Sequence, residues 1–131
     1  MKALTICQPY ASMSFWGGKR VENRTWETLY RGPLLIHAGK SRAWLVGDEH
    51  AQRLVFGAIL GRAALIDVLH IREIDRGAYD SRYPWLREHP HTHGPFCWVF
   101  GRITAFAAPI PWRGAQGLFN VPDSALGVAI S

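Results

Sequence analysis

Between its two glycine-rich turns the chain reads Gly17-Gly18-Lys19-Arg20-Val21-Glu22-Asn23-Arg24-Thr25-Trp26, with four charged side chains in six positions and an indole behind them. The period of two in a strand puts Arg20, Glu22, Arg24 and Trp26 on one face, and Val21, Asn23 and Thr25 on the other. A carboxylate set among cations and beside a ring can do two kinds of chemistry. It can accept hydrogen bonds from the exocyclic amine of a base such as cytosine or guanine while the arginines take phosphates. It can also act as a base on water, with Lys19 stabilising the developing oxyanion. The plain alternative is an edge strand whose charges discourage aggregation, with exposed ion pairs worth only about 0–1 kcal/mol each. The residues alone leave these readings open.

The flanking elements must deliver this strand. Lys2 to Ile6 reads as a first strand, and Gln8-Pro9 opens a helix, because proline suits the first helical turn. Tyr10, Met13 and Trp16 recur at helical spacing, and Gly17-Gly18 stops the helix. Gln8 faces either a cleft or a plain turn. Gly32-Pro33 marks a turn before a strand from Pro33 to Gly39, which has Leu34, Ile36 and Ala38 on one face and Leu35 and His37 on the other. Ser41 is placed to cap a second helix reaching about Leu54, with Trp44, Ala51 and Val55 along one stripe.

Gly57 to Ile71 is the longest apolar stretch, and its β-branched content predicts a strand buried on both faces and bulged at Gly61. Asp67 inside it needs a partner, most simply an arginine. This strand is expected to pair with the one through Leu34 to Ala38 or with the one through Phe96 to Phe100. Residues 72–94 read as an irregular polar segment tacked down by Tyr83-Pro84-Trp85-Leu86. His89, His91 and His93 alternate within it, but they sit in a proline-containing loop with no cysteine near, so no metal and no other cofactor is expected. Pro95 to Phe100 is a strand interrupted at Gly101 and resumed from Ile103 to Ala108, with Pro109 and Pro111 ending the pairing.

A length of 131 residues suits one domain, and 48% apolar content supports a core. No apolar run spans a bilayer and no secretory pattern opens the chain, so a cytoplasmic protein without a membrane partner is expected. Cys7 and Cys97 match no metal spacing and read as buried thiols. The formal charge is +5, with twelve Arg against three Lys, alongside six Trp and four Tyr. Guanidiniums grip phosphate and rings stack on bases, a combination that fits single-stranded nucleic acid.

The phrases Leu4-Thr5-Ile6-Cys7-Gln8-Pro9-Tyr10-Ala11-Ser12, Gly18-Lys19-Arg20-Val21-Glu22-Asn23-Arg24 and Tyr30-Arg31-Gly32-Pro33-Leu34-Leu35-Ile36-His37-Ala38, followed by Gly61 to Asp67 and Gly94 to Val99, resemble the ASCH domain. The name stands for activating signal cointegrator-1 homology. The Gly-x-Lys-x-x-Glu-x-Arg core falls on Gly17, Lys19, Glu22 and Arg24. The resemblance implies an α+β fold, a small PUA-like β-barrel with flanking helices, as a single domain over residues 1–131. It implies a cleft lined by Lys19, Glu22 and Arg24 and walled by Gln8, Pro9 and Tyr10, where Tyr10 stands in for the usual Trp. Trp26, Arg31 and His37 complete the candidate binding set.

The expected function is recognition of single-stranded RNA, another single-stranded nucleic acid or a nucleobase. The alternative is a hydrolase in the same cleft, either a ribonuclease or an amidohydrolase of N4-acylated cytidines, with Lys19 and Glu22 catalytic. One amidohydrolase branch of the family carries Thr at the position of Glu22, and this chain lacks that hydroxyl; strand alternation turns Thr25 to the other face. A protein-interaction role in transcription has no groove signature to support it. The oligomeric state is not legible.

Overall fold

The computed structural model describes residues 1–45 and 53–127. The strands are β1 (Lys2–Ile6), β2 (Val21–Arg24), β3 (Gly32–Ala38), β4 (Ala58–His70), β5 (Phe96–Pro111) and β6 (Leu118–Asn120). The helices are α1 (Tyr10–Trp16) and α2 (Ile71–Asp75), and a 3-10 turn spans Asp123–Ala125. Hydrogen bonding orders the strands β2-β5-β4-β3-β1-β6. The directions are mixed: β1 runs parallel to β3 and antiparallel to β6, and β2 runs antiparallel to β5. The apolar strand β4 thus lies between β5 and β3 and pairs with both of its expected partners. The fold is α+β, as expected.

Backbone contacts divide the chain into two compact units. The first comprises Met1–Gly18, Pro33–Ala63 and Ile103–Ser131. Its core holds Ala3, Leu35, Ile59, Val121 and Leu126, with Phe106, Ile110, Trp112 and Phe119 packed around them. In β3 every residue from Leu34 to Ala38 is buried, so this strand is covered on both faces. Gly61 in β4 is fixed by close approach: a Cβ there would lie 2.3 Å from the Thr104 carbonyl oxygen and 2.6 Å from the Phe15 ring. Helix α1 starts after Pro9, with the Gln8 side chain closing its first turn. Gln8 Oε1 accepts from the Ser12 N–H (3.0 Å), and Nε2 donates to Ser12 Oγ (2.8 Å) and to the Val55 carbonyl (2.8 Å). The helix buries its small residues Ala11, Ser12 and Ser14 and leaves Trp16 exposed. Trp16, at the end of the Tyr10, Met13 and Trp16 stripe, is therefore off the packing face, whereas Phe15 packs against β4.

The second unit comprises Lys19–Gly32 and Ala64–Arg102. Its core is Val21, Leu69, Ile74, Leu86, Cys97 and Val99, with Tyr79, Tyr83 and Trp85 against it, so the Tyr83 to Leu86 stretch does anchor its segment. The register of β2 on β5 pairs Val21 with Val99, Glu22 with Trp98, Asn23 with Cys97 and Arg24 with Phe96.

Three local expectations are corrected. No helix starts at Ser41: its Oγ accepts from the Ala43 N–H (3.3 Å), a local turn bond, and Trp44 is 60% exposed. The remainder of that expected helix, residues 46–52, lies outside the described residues. Gly101 does not interrupt β5, which runs unbroken for 16 residues to Pro111; a glycine suits that position because the Ile66 side chain packs against it. The segment after β4 is not irregular at its start, since His70 Nδ1 accepts from the Arg72 N–H (3.1 Å) and so caps α2. Among the described residues no helix is long and apolar enough to cross a membrane.

Candidate functional site

The charged strand is an edge strand by sheet order, yet Lys19 and Glu22 are buried and Arg24 is partly so. Gly18, at φ 72°, turns the chain ahead of Lys19. Lys19 is 2% exposed, and its Nζ lies 2.9 Å from Glu22 Oε1. Glu22 Oε2 lies 2.9 Å from Arg24 Nη2. The two oxygens of the one carboxylate are therefore matched to different cations. The Lys19 ammonium also sits 5.6 Å from the centre of the Phe100 ring. Nζ is shut off from solvent, and Glu22 is its ion-pair partner. Burial pulls the Lys19 pKa below the ordinary lysine range. The Glu22 carboxylate opposes that shift, and the Arg24 charge adds to it. The expectation of exposed pairs with little effect on stability is thus overturned by burial.

On the other face of β2, Asn23 carries a function that sequence reasoning passed over. Its Nδ2 donates to the His91 carbonyl (2.7 Å). Its Oδ1 accepts from the backbone N–H groups of His93 (3.0 Å) and Gly94 (2.7 Å), and the Cys97 thiol points at it from 3.5 Å. Nearby, the Arg20 N–H donates to His89 Nε2 (3.1 Å). The histidine loop is therefore fastened along the charged strand at two places. Ring contacts continue the arrangement: the Arg20 guanidinium lies 4.0 Å from the Trp85 ring, Trp85 meets His89 edge-on at 5.3 Å, and His89 meets His91 at a tilt at 5.7 Å. Among the described residues no group of three or more His, Cys, Asp or Glu is arranged to hold a metal ion.

The other candidate residues are dispersed. Trp26 lies beyond the end of β2, where alternation no longer governs it; its carbonyl accepts from Trp98 Nε1–H (3.2 Å) and the two rings meet edge-on at 4.7 Å. Arg31 is exposed and donates to the Thr28 and Tyr30 carbonyls (2.8 and 2.9 Å), with Asp67 at 3.9 Å. Asp67 finds the arginine partner expected of it in Arg82 (2.9 Å), and Tyr83 donates to it as well (3.0 Å). His37 is 1% exposed in the first unit, with Nε2 2.7 Å from the Trp112 carbonyl and Nδ1 3.0 Å from Thr5 Oγ1. A carbonyl only accepts, so Nε2 carries a proton. That arrangement suits a packed core histidine. Gln8, fully buried, also belongs to the first unit, as do Pro9 and Tyr10; Tyr10 meets Trp44 edge-on at 6.3 Å. Cys97 is buried and its pKa is pushed up to about 11, which makes it an inert thiol.

The sequence model of the ASCH domain matches residues 4–100. The chain belongs to the ASCH domain family. Its fold is related in general to nucleic-acid functions. Among solved structures it is similar to the ASCH protein of Zymomonas mobilis, with a TM-score of 0.57 at 13% identity, covering 95% of this chain and 89% of that one. Two single-substitution mutants of that Zymomonas mobilis protein give TM-scores of 0.56 and 0.57, each at 15% identity and 95% coverage of this chain, with 89% and 91% of theirs. At such identity the likeness speaks for the fold alone. No curated protein sequence matches this ASCH domain.

The histidine loop gives the domain a pH signature. Burial lowers the pKa of His89, and the charges of His91, Arg20 and Lys19 lower it further; burial, Lys19 and His93 lower that of His91, against Glu22. Between the folded values and the ordinary value of 6.5, the unfolded chain binds more protons. The stability these neutral rings confer is therefore complete above 6.5 and declines as the pH falls below it. Thermal melts from about pH 8 to 5 are expected to show this decline, and it is expected to be shallower in His89→Gln.

Proposed function

We propose that this ASCH domain, read as one functional unit over residues 1–131, binds single-stranded RNA or a nucleobase through Glu22 and the cations around it. The observation that carries this reading is the carboxylate held between Lys19 Nζ and Arg24 Nη2, each at 2.9 Å. Two cations fix its orientation, while a carboxylate has about four lone-pair sites and can still accept from an amine. The buried Lys19 ammonium, shut off from solvent, acts on a ligand by fixing the Glu22 carboxylate. Arg20 and Arg24 supply charge for phosphates, and the formal charge of +5 favours an anionic partner.

The test incubates the protein with labelled single-stranded RNA and, separately, with N4-acetylcytidine, each with divalent metal or with chelator. Retention of RNA or nucleoside without product is expected. Affinity for RNA should fall with salt, with a slope of roughly −0.7 per neutralised phosphate. Product in either assay would replace the binding reading with the hydrolase, and salt-independent binding would restrict the partner to a nucleoside.

A further inference from the structure

The turn after β3 gathers rings and cations that the Glu22 cluster does not use. Lys40 to Trp44 are exposed, and the Leu45 N–H donates to the Arg42 carbonyl (3.2 Å), so this stretch turns at the surface. Residues 55–57 return alongside it. The Arg42 guanidinium lies 4.1 Å from the centre of the Phe56 ring, and a Cβ on Gly57 would lie 3.0 Å from Lys40 Cε. The Gly57 N–H donates to the Ala38 carbonyl (2.8 Å), and the buried Gln8 side chain donates to the Val55 carbonyl (2.8 Å). Tyr10, at the start of α1, meets the Trp44 ring edge-on at 6.3 Å. These contacts bring Tyr10, Lys40, Arg42, Trp44 and Phe56 together within the first unit.

Trp44 is 60% exposed. An edge-on contact takes at most one face of a ring, so at this exposure the other face is open to stacking. Among the described residues neither Lys40 nor Arg42 has a carboxylate partner, whereas Arg76, Arg82 and Arg87 each have one. A guanidinium resting on a ring keeps its N–H groups for an anion. An open indole beside cations without carboxylates is what a single strand of nucleic acid requires, a surface for a base and charge for its phosphates.

We propose that this turn is a second contact surface for single-stranded RNA, with a base stacked on Trp44 and phosphates taken by Arg42 and Lys40. The choice of RNA rests on the reading of the Glu22 cluster, but the contacting residues are separate from Lys19, Glu22 and Arg24. Every base has a π-face, so the surface adds affinity with little sequence preference. A second copy of this chain is a poorer occupant, because it carries the same formal charge of +5.

The test titrates the full chain into a fluorescein-labelled oligouridine of about ten nucleotides, with single-stranded DNA of the same length in parallel. Trp44→Ala is expected to weaken RNA binding roughly tenfold, and Trp44→Phe to keep most of it because a stacking ring remains. Arg42→Gln should weaken binding and reduce the salt slope by roughly 0.7, the share of one phosphate. Both side chains are exposed, so thermal melts of these variants should match the wild type. Should Trp44→Ala melt lower, Arg42→Gln decides. If RNA binds and both Trp44→Ala and Arg42→Gln bind it as the wild type does, this surface is overturned while the Glu22 reading stands. If Lys19→Met binds RNA normally and Trp44→Ala loses it, the Glu22 reading falls and this one stands. Binding of DNA without RNA overturns the choice of partner, and binding of neither overturns both readings.

Discussion

Glu22→Ala is expected to lower stability by about 3–5 kcal/mol, the usual cost of leaving a buried charge without its partner. The loss follows from the geometry: Lys19 is 2% exposed, and Glu22 lies between its ammonium and the Arg24 guanidinium. Removing the carboxylate leaves two cations facing each other in a partly dry environment. The deficit should depend on pH in a defined sense. The folded pKa of Lys19 is already below its ordinary value of 10.5, and losing Glu22 lowers it again. The unfolded chain then binds more protons than the folded one at all pH values between the two, so stability recovers as the pH rises toward 10.5. Denaturant melts of both proteins between about pH 7 and 10 measure this directly. Coincident melts at neutral pH would mean that the pair is solvated, as in a plain charged edge.

Lys19→Met is expected to behave in the opposite way. Burial outweighs the attraction of Glu22 in setting the state of this ammonium, and Glu22 keeps Arg24 when Lys19 is gone. A thioether of similar length fills the space beside Phe100 without the desolvation cost, and exchanging buried charge for apolar volume is often neutral or stabilising. The melting temperature should therefore hold or rise, while affinity for RNA or nucleoside falls tenfold or more. Parallel thermal melts and titrations check both halves. A variant that is stable and binds normally would remove Lys19 from the site. Together the two substitutions separate what the cluster does for the fold from what it does for a ligand.

Much of the frame is legible in the residues. Lys2–Ile6, Tyr10–Trp16 and the apolar run through β4 announce themselves by period and by their Gly and Pro boundaries. The strand through Glu22 is likewise marked by its glycine stop. What is not legible is depth. Lysine is among the least buried residue types, so nothing in the composition says that Lys19 is enclosed. The failed helix at Ser41 shows the same limit from the other side, because a stripe holding Trp44 reads as core until that ring proves exposed. Asn23 is silent for a different reason. Its partners lie about 70 positions away, and an amide that organises a distant loop leaves no local pattern.

The pairing of Trp98 with Glu22 across β2 and β5 also makes the domain its own optical instrument. Trp98 is fully buried, its indole N–H is held by the Trp26 carbonyl, and the two rings lie 4.7 Å apart at 80°. Rings so close and so inclined couple electronically, and a polarised group opposite one of them alters its emission. Among the six tryptophans, this pair therefore contributes to near-ultraviolet dichroism and fluorescence a signal from the strand that carries Glu22, which a ligand arriving there should change without any attached label.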